Sequence, residues 1–303
     1  MFFYIISKMK KEMKIGLFIG GLFLILIGAL LFKHGGRRNF SPIKQEKVAT
    51  YSGFASQIEQ AQKEKEEKQR IEEEKKRQEE ETRRFIQTYG PCRFIPVLMY
   101  HHVGTKTGAL YVRPDIFAAQ MAYLQQKGYS TVGLDDVVDS LISSKPLPAK
   151  PVVITFDDGY RDVYTNAFPV LKEKNMRATT FLITQLIGGG EYLTWDQVRE
   201  MVGPGTFIVG DHTLSHKAVT ALAEAELTDQ IVAAKNIIQQ ETGKPVTVFA
   251  YPYGSFDSAA EKVLGDNGFV AAVTTHYGLS CAKLPYEIPR VRIGNAPLSS
   301  YGL

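Results

Sequence analysis

The chain has 303 residues and a formal net charge of +4, and its acidic and basic residues are interleaved. No basic stripe with interleaved aromatic residues is present, so the composition excludes a nucleic-acid-binding surface. Cys92 and Cys281 are not part of a CxxC pair, which excludes a finger-type structural zinc site. Outside the cytosol the two cysteines could form a disulfide, and otherwise they are buried thiols; the sequence leaves both states open.

An uncharged apolar run covers residues 15–32 and follows a lysine-rich N-terminus. As a helix it would rise about 27 Å, close to the thickness of a hydrocarbon core. No small-x-small cleavage site follows it, so we prefer an uncleaved anchor to a cleaved signal peptide. We therefore predict a cytoplasmic N-terminus over 1–14 and a transmembrane anchor over 15–32. The protein would then be a single-pass cell-membrane protein with its catalytic domain on the extracellular side.

A strongly charged segment follows, in which a glutamate repeatedly precedes a lysine or arginine by four residues. Each such pair stabilises an isolated helix by about 0.2–0.5 kcal/mol. Apolar residues are too sparse there for a coiled-coil seam. We predict a linker over 33–89 that contains a solvated charged helix at about 55–84, with a disordered charged tether as the alternative.

From residue 90 to residue 303 the sequence alternates strand-like apolar runs with helix-like segments. Strands are predicted over 94–100, 152–156, 178–183, 207–210, 246–251 and 269–274. Helices are predicted over 115–127, 135–143, 163–174, 194–202, 227–242 and 258–267. This alternation predicts an α/β fold with a parallel sheet, and closure into a (β/α) barrel is the natural solution at this length. We predict that residues 90–303 form the catalytic domain.

Two groups of potential metal ligands follow predicted strands. Asp157 and Asp158 end one buried strand, and His212 and His216 come four residues apart after another. One carboxylate with two imidazoles can hold a divalent cation and leave coordination positions open. A second carboxylate beside them is then free to act as a base. Together these residue types predict metal-assisted hydrolysis.

Three motifs resemble those of the polysaccharide deacetylase family, the NodB-homology domain of the family 4 carbohydrate esterases. TFDDG at 155–159 matches the first motif, HTLSH at 212–216 the second, and FAYPYG at 249–254 the third. The resemblance implies a distorted (β/α) barrel that removes acetyl groups from carbohydrate, usually from N-acetylglucosamine units.

The resemblance also assigns roles to individual residues. It implies that Asp157 is the catalytic base and that Asp158, His212 and His216 hold one divalent metal ion. We expect zinc, with Fe, Co or Ni as alternatives, since two histidines and a carboxylate suit all four. The backbone N–H of Tyr253 would help to bind the oxyanion.

The chain departs from the family pattern at two places. Ala250 stands where the third motif usually has an arginine that orients the base, and the usual fourth motif and C-terminal histidine acid are not visible. Residues 97–103 instead resemble the subgroup that de-N-acetylates poly-N-acetylglucosamine, in which an N-terminal histidine replaces that acid. This implies His101 as the general acid, with His102 as the alternative.

Several aromatic residues near these motifs offer flat apolar faces to a sugar ring. We select Tyr251, Tyr253 and Trp195 as candidate substrate contacts. Packing in the core is the alternative for aromatic residues of this kind.

We therefore predict a metal-dependent deacetylase of an extracellular N-acetylglucosamine polymer, poly-N-acetylglucosamine. Its expected partners are the polysaccharide and, through the anchor, the membrane, and no nucleic acid. One alternative is a peptidoglycan or chitin-oligosaccharide deacetylase, which the same anchor and spacer would suit. Another is a non-catalytic polysaccharide-binding module, which would explain the lost arginine at Ala250.

Overall fold

The computed structural model describes residues 45–303, and within 45–55 only Phe54 has a described side chain. The predicted N-terminus over 1–14 and the predicted anchor over 15–32 lie outside these residues. Among the described residues, no helix is both long enough and apolar enough to cross a membrane. The predicted single-pass membrane location is therefore wrong by this finding. The longest described helix, Gln45–Tyr89, is dominated by charged residues that a hydrocarbon core would exclude.

That helix, α1 (Gln45–Tyr89), covers the predicted charged span at about 55–84. From residue 56 to residue 89 its side chains are exposed. Ion pairs one helical turn apart lie along it, such as Lys63 with Glu59 at 2.6 Å and Arg84 with Glu80 at 2.6 Å. The chain divides into two compact units, 1–75 and 76–303, and all the described strands lie in the second unit.

The strands of the second unit form one large parallel sheet and two small pairs. Their bounds are β1 Cys92–Arg93, β2 Val97–Tyr100, β3 His102–Val103, β4 Tyr111–Val112, β5 Ser130–Thr131, β6 Pro151–Phe156, β7 Ala178–Leu182, β8 Phe207–Asp211, β9 Val248–Ala250, β10 Ala271–Val273, β11 Ser280–Cys281 and β12 Val291–Arg292. The large sheet has the order β10-β9-β8-β7-β6-β2-β12, with β5 also paired to β6. In the small pairs, β1 lies antiparallel to β11 and β3 lies parallel to β4.

Helices follow most strands of the large sheet, as the alternation predicts. Thr194 caps one of them, because its hydroxyl accepts from Gln197 N–H while the Gln197 side chain accepts from Thr194 N–H. The bounds are α2 Pro114–Gln126, α3 Leu134–Ser143, α4 Phe168–Glu173, α5 Trp195–Val202, α6 Glu224–Thr228, α7 Ala234–Thr242 and α8 Ser258–Asp266. Two π-helical turns, 163–167 and 229–233, lead into α4 and α7.

One short segment, residues 288–292, contacts one edge strand of the large sheet and contains the other. Ile288 N–H donates to the Ala272 carbonyl, and the Ile288 carbonyl accepts from Thr274 N–H, each at 2.9 Å. A few residues later, β12 pairs in parallel with β2. The sheet is therefore a parallel half-barrel whose two edges share one connecting segment. The predicted parallel α/β fold is confirmed.

The two cysteines form a disulfide. Cys92 and Cys281 lie directly opposite each other in the antiparallel pair β1–β11. The bond closes a loop between residues 189 positions apart and so connects the two ends of the strand-containing unit. Of the two states that the sequence left open, the structure has the bonded one.

Candidate active site

The predicted site residues lie at the carboxyl ends of the parallel strands. His101 follows β2, Asp157 and Asp158 follow β6, and His212 follows β8. Parallel strands that share a sheet end at the same edge, so residues far apart in sequence meet there. The strand β6 itself is buried from Val152 to Phe156, which fixes the position of the two carboxylates.

Asp158, His212 and His216 come together as a possible ligand set. Asp158 Oδ1 lies 3.3 Å from His212 Nε2 and 3.4 Å from His216 Nε2. Two ligands of a tetrahedral cation with bonds of about 2.1 Å would be about 3.4 Å apart. Asp158 Oδ1 is buried and has no hydrogen-bond partner among the described residues. The three side chains therefore fit a divalent metal ion, whose identity the donor set does not fix.

The local backbone conformation and hydrogen bonds orient the side chains of these three residues. His212 Nδ1–H donates to the Ala250 carbonyl at 2.6 Å, which leaves the Nε2 lone pair facing Asp158. Asp158 has a φ of 73° and His216 a φ of 61°, in the left-handed region that costs non-glycine residues of order 1–3 kcal/mol. Thr213 stabilises the second turn, because its hydroxyl accepts from His216 N–H at 3.0 Å. The strained turns point to a site held in place for function.

Asp157 has a quite different partner, which the sequence reasoning missed. Both oxygens of its buried carboxylate accept from the Arg290 guanidinium, each at 2.7 Å. Burial alone would raise the pKa of Asp157, but the Arg290 charge and hydrogen bonds outweigh burial and hold this pKa below its usual range. Arg290 is fully buried and also donates to the Thr274 carbonyl and to the Thr155 hydroxyl. Arg290 thus gives Asp157 the guanidinium partner that Ala250 cannot supply.

The structure separates the two candidate acid residues. His101 Nε2 lies 3.9 Å from Asp157 Oδ2, and burial lowers the His101 pKa although nearby carboxylates oppose this. The ring of His102 is instead stacked between Tyr160 and Tyr111, with centroid distances of 3.5 and 4.0 Å. His102 is therefore held as part of an aromatic stack, and His101 is the histidine of this pair that faces Asp157.

The three candidate substrate aromatics have different surroundings. Tyr253 is 66% exposed, and its ring lies 4.6 Å from the ring of His216. Tyr251 is fully buried between Phe249 and Phe256, where its ring cannot contact a substrate. Trp195 is half-buried and packs against the main hydrophobic core. Only Tyr253 is brought beside the ligand set, and core packing accounts for Tyr251.

Comparison with known proteins supplies an independent set of findings. The family model described as "Polysaccharide deacetylase" matches residues 144–272, which contain both aspartates and both histidines of the site. YxkH from Bacillus subtilis (strain 168), named as a polysaccharide deacetylase, is 32% identical over 213 residues, which cover 70% of this chain and 75% of YxkH.

Two further proteins extend the comparison. The poly-beta-1,6-N-acetyl-D-glucosamine N-deacetylase of Escherichia coli (strain K12) is 29% identical over 228 residues, which cover 61% of this chain and 34% of that protein. The Streptococcus pyogenes deacetylase PplD, solved in complex with acetate, matches with a TM-score of 0.64 and 27% identity, over 67% of this chain and 93% of PplD. This chain thus spans most of YxkH and PplD but about a third of the E. coli protein.

Proposed function

This chain belongs to the polysaccharide deacetylase family, which hydrolyses N-acetyl amide bonds, and from this premise we propose that it is a metal-dependent deacetylase of poly-N-acetylglucosamine. One observation carries the proposal. A possible metal-ligand set stands beside a separate carboxylate, Asp157, whose ionised form is fixed by Arg290. A hydrolase needs both features, whereas a binding module needs neither.

In this proposal Asp158, His212 and His216 hold the cation. A divalent cation there would polarise the acetamide carbonyl and lower the pKa of a water molecule. Burial would raise the pKa of Asp158, but its histidine neighbours, His212 first, outweigh burial and lower this pKa when they are protonated. A divalent cation in their midst would likewise keep the carboxyl ionised, as a ligand must be. The backbone N–H of Tyr253, beside His216, would donate to the oxyanion that develops from the carbonyl.

Asp157 and His101 would divide the proton transfers. Asp157 is ionised and would accept a proton from the attacking water, while Arg290 keeps its carboxylate in one orientation. When the C–N bond breaks, the leaving amine needs a proton. His101, 3.9 Å from Asp157, would donate it in its protonated form. The products are acetate and a free amino group on the sugar.

The choice of polymer rests on the relatives and on the sequence before the first motif. The E. coli relative is named as a poly-beta-1,6-N-acetyl-D-glucosamine N-deacetylase. His101 stands where the matching subgroup places its histidine. The argument for a non-catalytic module rested on the arginine missing at Ala250, and Arg290 now supplies a guanidinium to the same carboxylate. The catalytic proposal is stronger for this reason.

The experiment is to measure acetate release and bound metal in Asp157→Asn. We expect turnover of poly-N-acetylglucosamine to fall by about 10²–10⁴, the range for loss of a general base, with metal content unchanged. Asp196→Asn is the matched control, because its side chain is 91% exposed. Full activity in Asp157→Asn would refute the assignment of the base, and faster acetate release from peptidoglycan than from poly-N-acetylglucosamine would refute the assignment of the polymer.

A further inference from the structure

A cavity of about 410 Å³ lies beside His102, and none of its lining residues belongs to the ligand set. Binding sites for small molecules span about 300–1,000 Å³, so this volume is large enough for a ligand. Lys106, Arg161, Asp162 and Glu191 are among its lining residues. The proposed reaction uses none of these four side chains.

The clearest sign of a ligand is one oxygen of Asp162. Its Oδ2 lies 2.8 Å from His102 Nδ1, which donates to it. Its Oδ1 is buried and has no hydrogen-bond partner among the described residues. Buried polar atoms are nearly always paired in folded proteins, so an unpaired carboxylate oxygen in the wall of a cavity indicates a place for a ligand donor.

The charges around the cavity are balanced and well positioned. Lys106 and Glu191 form an ion pair between the loop that follows β3 and the loop that precedes α5. Arg161 is anchored, because its Nε donates to the Tyr192 carbonyl at 3.1 Å. Two cationic and two anionic groups give no net charge, which favours a neutral ligand that both donates and accepts hydrogen bonds. Sugar hydroxyl groups have this chemistry.

The cavity is close to the proposed reaction site. The ring of Tyr160 stacks on His102 with a centroid distance of 3.5 Å. Tyr160 follows the ligand Asp158 by two residues, and His102 directly follows His101, whose Nε2 lies 3.9 Å from Asp157. Two short chain segments therefore connect the cavity wall with the ligand set. A polymer that is held at the ligand set is near enough to extend into the cavity.

We propose that this cavity is a subsite for a second hexosamine unit of the same polymer, next to the unit that loses its acetyl group. Asp162 Oδ1 accepts a hydrogen bond from a hydroxyl of that unit, and Arg161 contributes a donor. The subsite rests on the proposed function for the identity of the polymer, whereas its binding chemistry depends only on the cavity residues.

Two variants test the subsite without touching the ligand set. Asp162→Asn removes the carboxylate at nearly constant shape. Thr165→Trp fills the cavity from an exposed lining position. Thr82→Trp, on the exposed face of α1, is the matched control for an added indole ring. Binding of N-acetylglucosamine oligomers to the chelator-treated full-length chain is measured by calorimetry, and acetate release is measured on the metal-loaded chain.

We expect both variants to weaken binding of a trimer roughly tenfold. Asp162→Asn loses a hydrogen bond to a charged group, and Thr165→Trp occupies the space of the second unit. The kcat/KM for the trimer falls by the same factor, while that for a single acetylated sugar stays within about twofold, because one unit does not reach the subsite. Equal losses on both substrates, or unchanged trimer binding in both variants, overturn the subsite.

The subsite and the proposed function fail in different ways. If the wild-type chain releases no acetate from any N-acetylglucosamine substrate, the proposed function is wrong, and the calorimetric comparison still decides the subsite. If the wild-type chain is active and both variants bind the trimer as tightly as Thr82→Trp does, the subsite alone is wrong.

Discussion

The two neighbouring carboxylates of the site, Asp157 and Asp158, have opposite surroundings. On one side, both oxygens of Asp157 are occupied by the Arg290 guanidinium at 2.7 Å. On the other side, Asp158 Oδ1 faces two imidazole nitrogens at 3.3 and 3.4 Å without a hydrogen bond. The first carboxylate is paired within the described chain, whereas the second stands in a group that could hold a metal ion. One strand end thus places two adjacent carboxylates in two different environments.

The different surroundings of Asp157 and Asp158 arise from the backbone as well as from the neighbouring side chains. Side chains alternate along an extended strand, so successive aspartates start with opposite directions. Asp158 then leaves the strand with a φ of 73° and Gly159 follows with a φ of 78°. The turn directs Asp158 toward the histidines after β8, while Asp157 remains in the buried layer with Arg290. Each side should therefore respond to substitution in its own way.

The largest effect is expected on the cation side. His212→Ala removes a ligand whose Nδ1–H is fixed by Ala250. Bound metal should fall well below one equivalent, and acetate release should fall to background, because the remaining two ligands hold a divalent cation weakly. Metal analysis of the purified chain and an acetate assay measure the two quantities.

His276→Ala is the matched control, since this histidine lies in the loop after β10 and not in the ligand set. It should keep both metal and activity. A His212→Ala chain that retains stoichiometric metal would show that the cation is bound elsewhere.

The next effect concerns the acid opposite Asp157. His101→Gln should lower turnover by about 10²–10⁴, the range for loss of a general acid. Burial holds the His101 pKa below its usual value of about 6.5, so the protonated donor is lost as pH rises through that lowered pKa. Asp157 has a lowered pKa and stays ionised over the same range. The wild-type kcat/KM should therefore decline on the alkaline side of the lowered His101 pKa.

His101→Gln should lose this decline together with most of its activity, and His276→Gln should keep both. A pH profile in His101→Gln with the same alkaline decline as in the wild-type chain would contradict the role of His101 as the proton donor.

The cation side was predictable from sequence, and the Arg290 side was not. Asp158, His212 and His216 lie in two short motifs, each of which follows a recognisable apolar strand. Arg290 is 133 residues from Asp157, beside a two-residue strand that is too short to show periodicity. The apolar residues around it, Ile288 and Val291, resemble any loop that touches a core.

One signal was nevertheless available. The third motif lacks its arginine at Ala250, and a buried carboxylate that acts as a base needs a positive partner from somewhere. A search for arginines among short apolar segments would have led to residues 288–293. The main strands of the sheet and the main helices were predictable because their apolar periodicity is local. Closure of the sheet edges was not, since it depends on a few long-range hydrogen bonds such as those of Ile288.

A smaller effect should distinguish the geometry of Arg290 from its charge. Arg290→Lys keeps the positive charge but loses the bidentate contact with Asp157. We expect a loss of about 10–100-fold in kcat, typical of residues that orient a functional group, with little change in KM. The apparent pKa of Asp157 should rise, because the paired hydrogen bonds from Arg290 that help to lower it are lost, and the acid limb of the rate profile should move to higher pH.

Arg292→Lys is the matched control, two residues along the same segment and exposed to solvent. It should leave kcat and the acid limb unchanged. If Arg290→Lys behaves like Arg292→Lys, the bidentate contact does not matter for the reaction and a general positive charge is enough.

The smallest effect on activity is expected at the disulfide, which belongs to neither side of the site. The double variant Cys92→Ser/Cys281→Ser removes the link between β1 and β11. It should lower the free energy of unfolding by about 2–5 kcal/mol, mainly because the unfolded chain regains freedom when the long loop opens. Denaturant unfolding measures this change, and the double substitution leaves no free thiol to react.

At 25 °C the acetate-release rate of the double variant should stay within about twofold of the wild-type rate, provided that the chain remains folded. The reason is that Arg290 is held by two hydrogen bonds that do not involve β11. Its Nε donates to the Thr274 carbonyl, and its backbone N–H donates to the His276 carbonyl. A fall in kcat together with a shifted acid limb would instead show that the disulfide holds the segment that carries Arg290. The β1–β11 pair would then be part of the structure that holds Arg290 against Asp157.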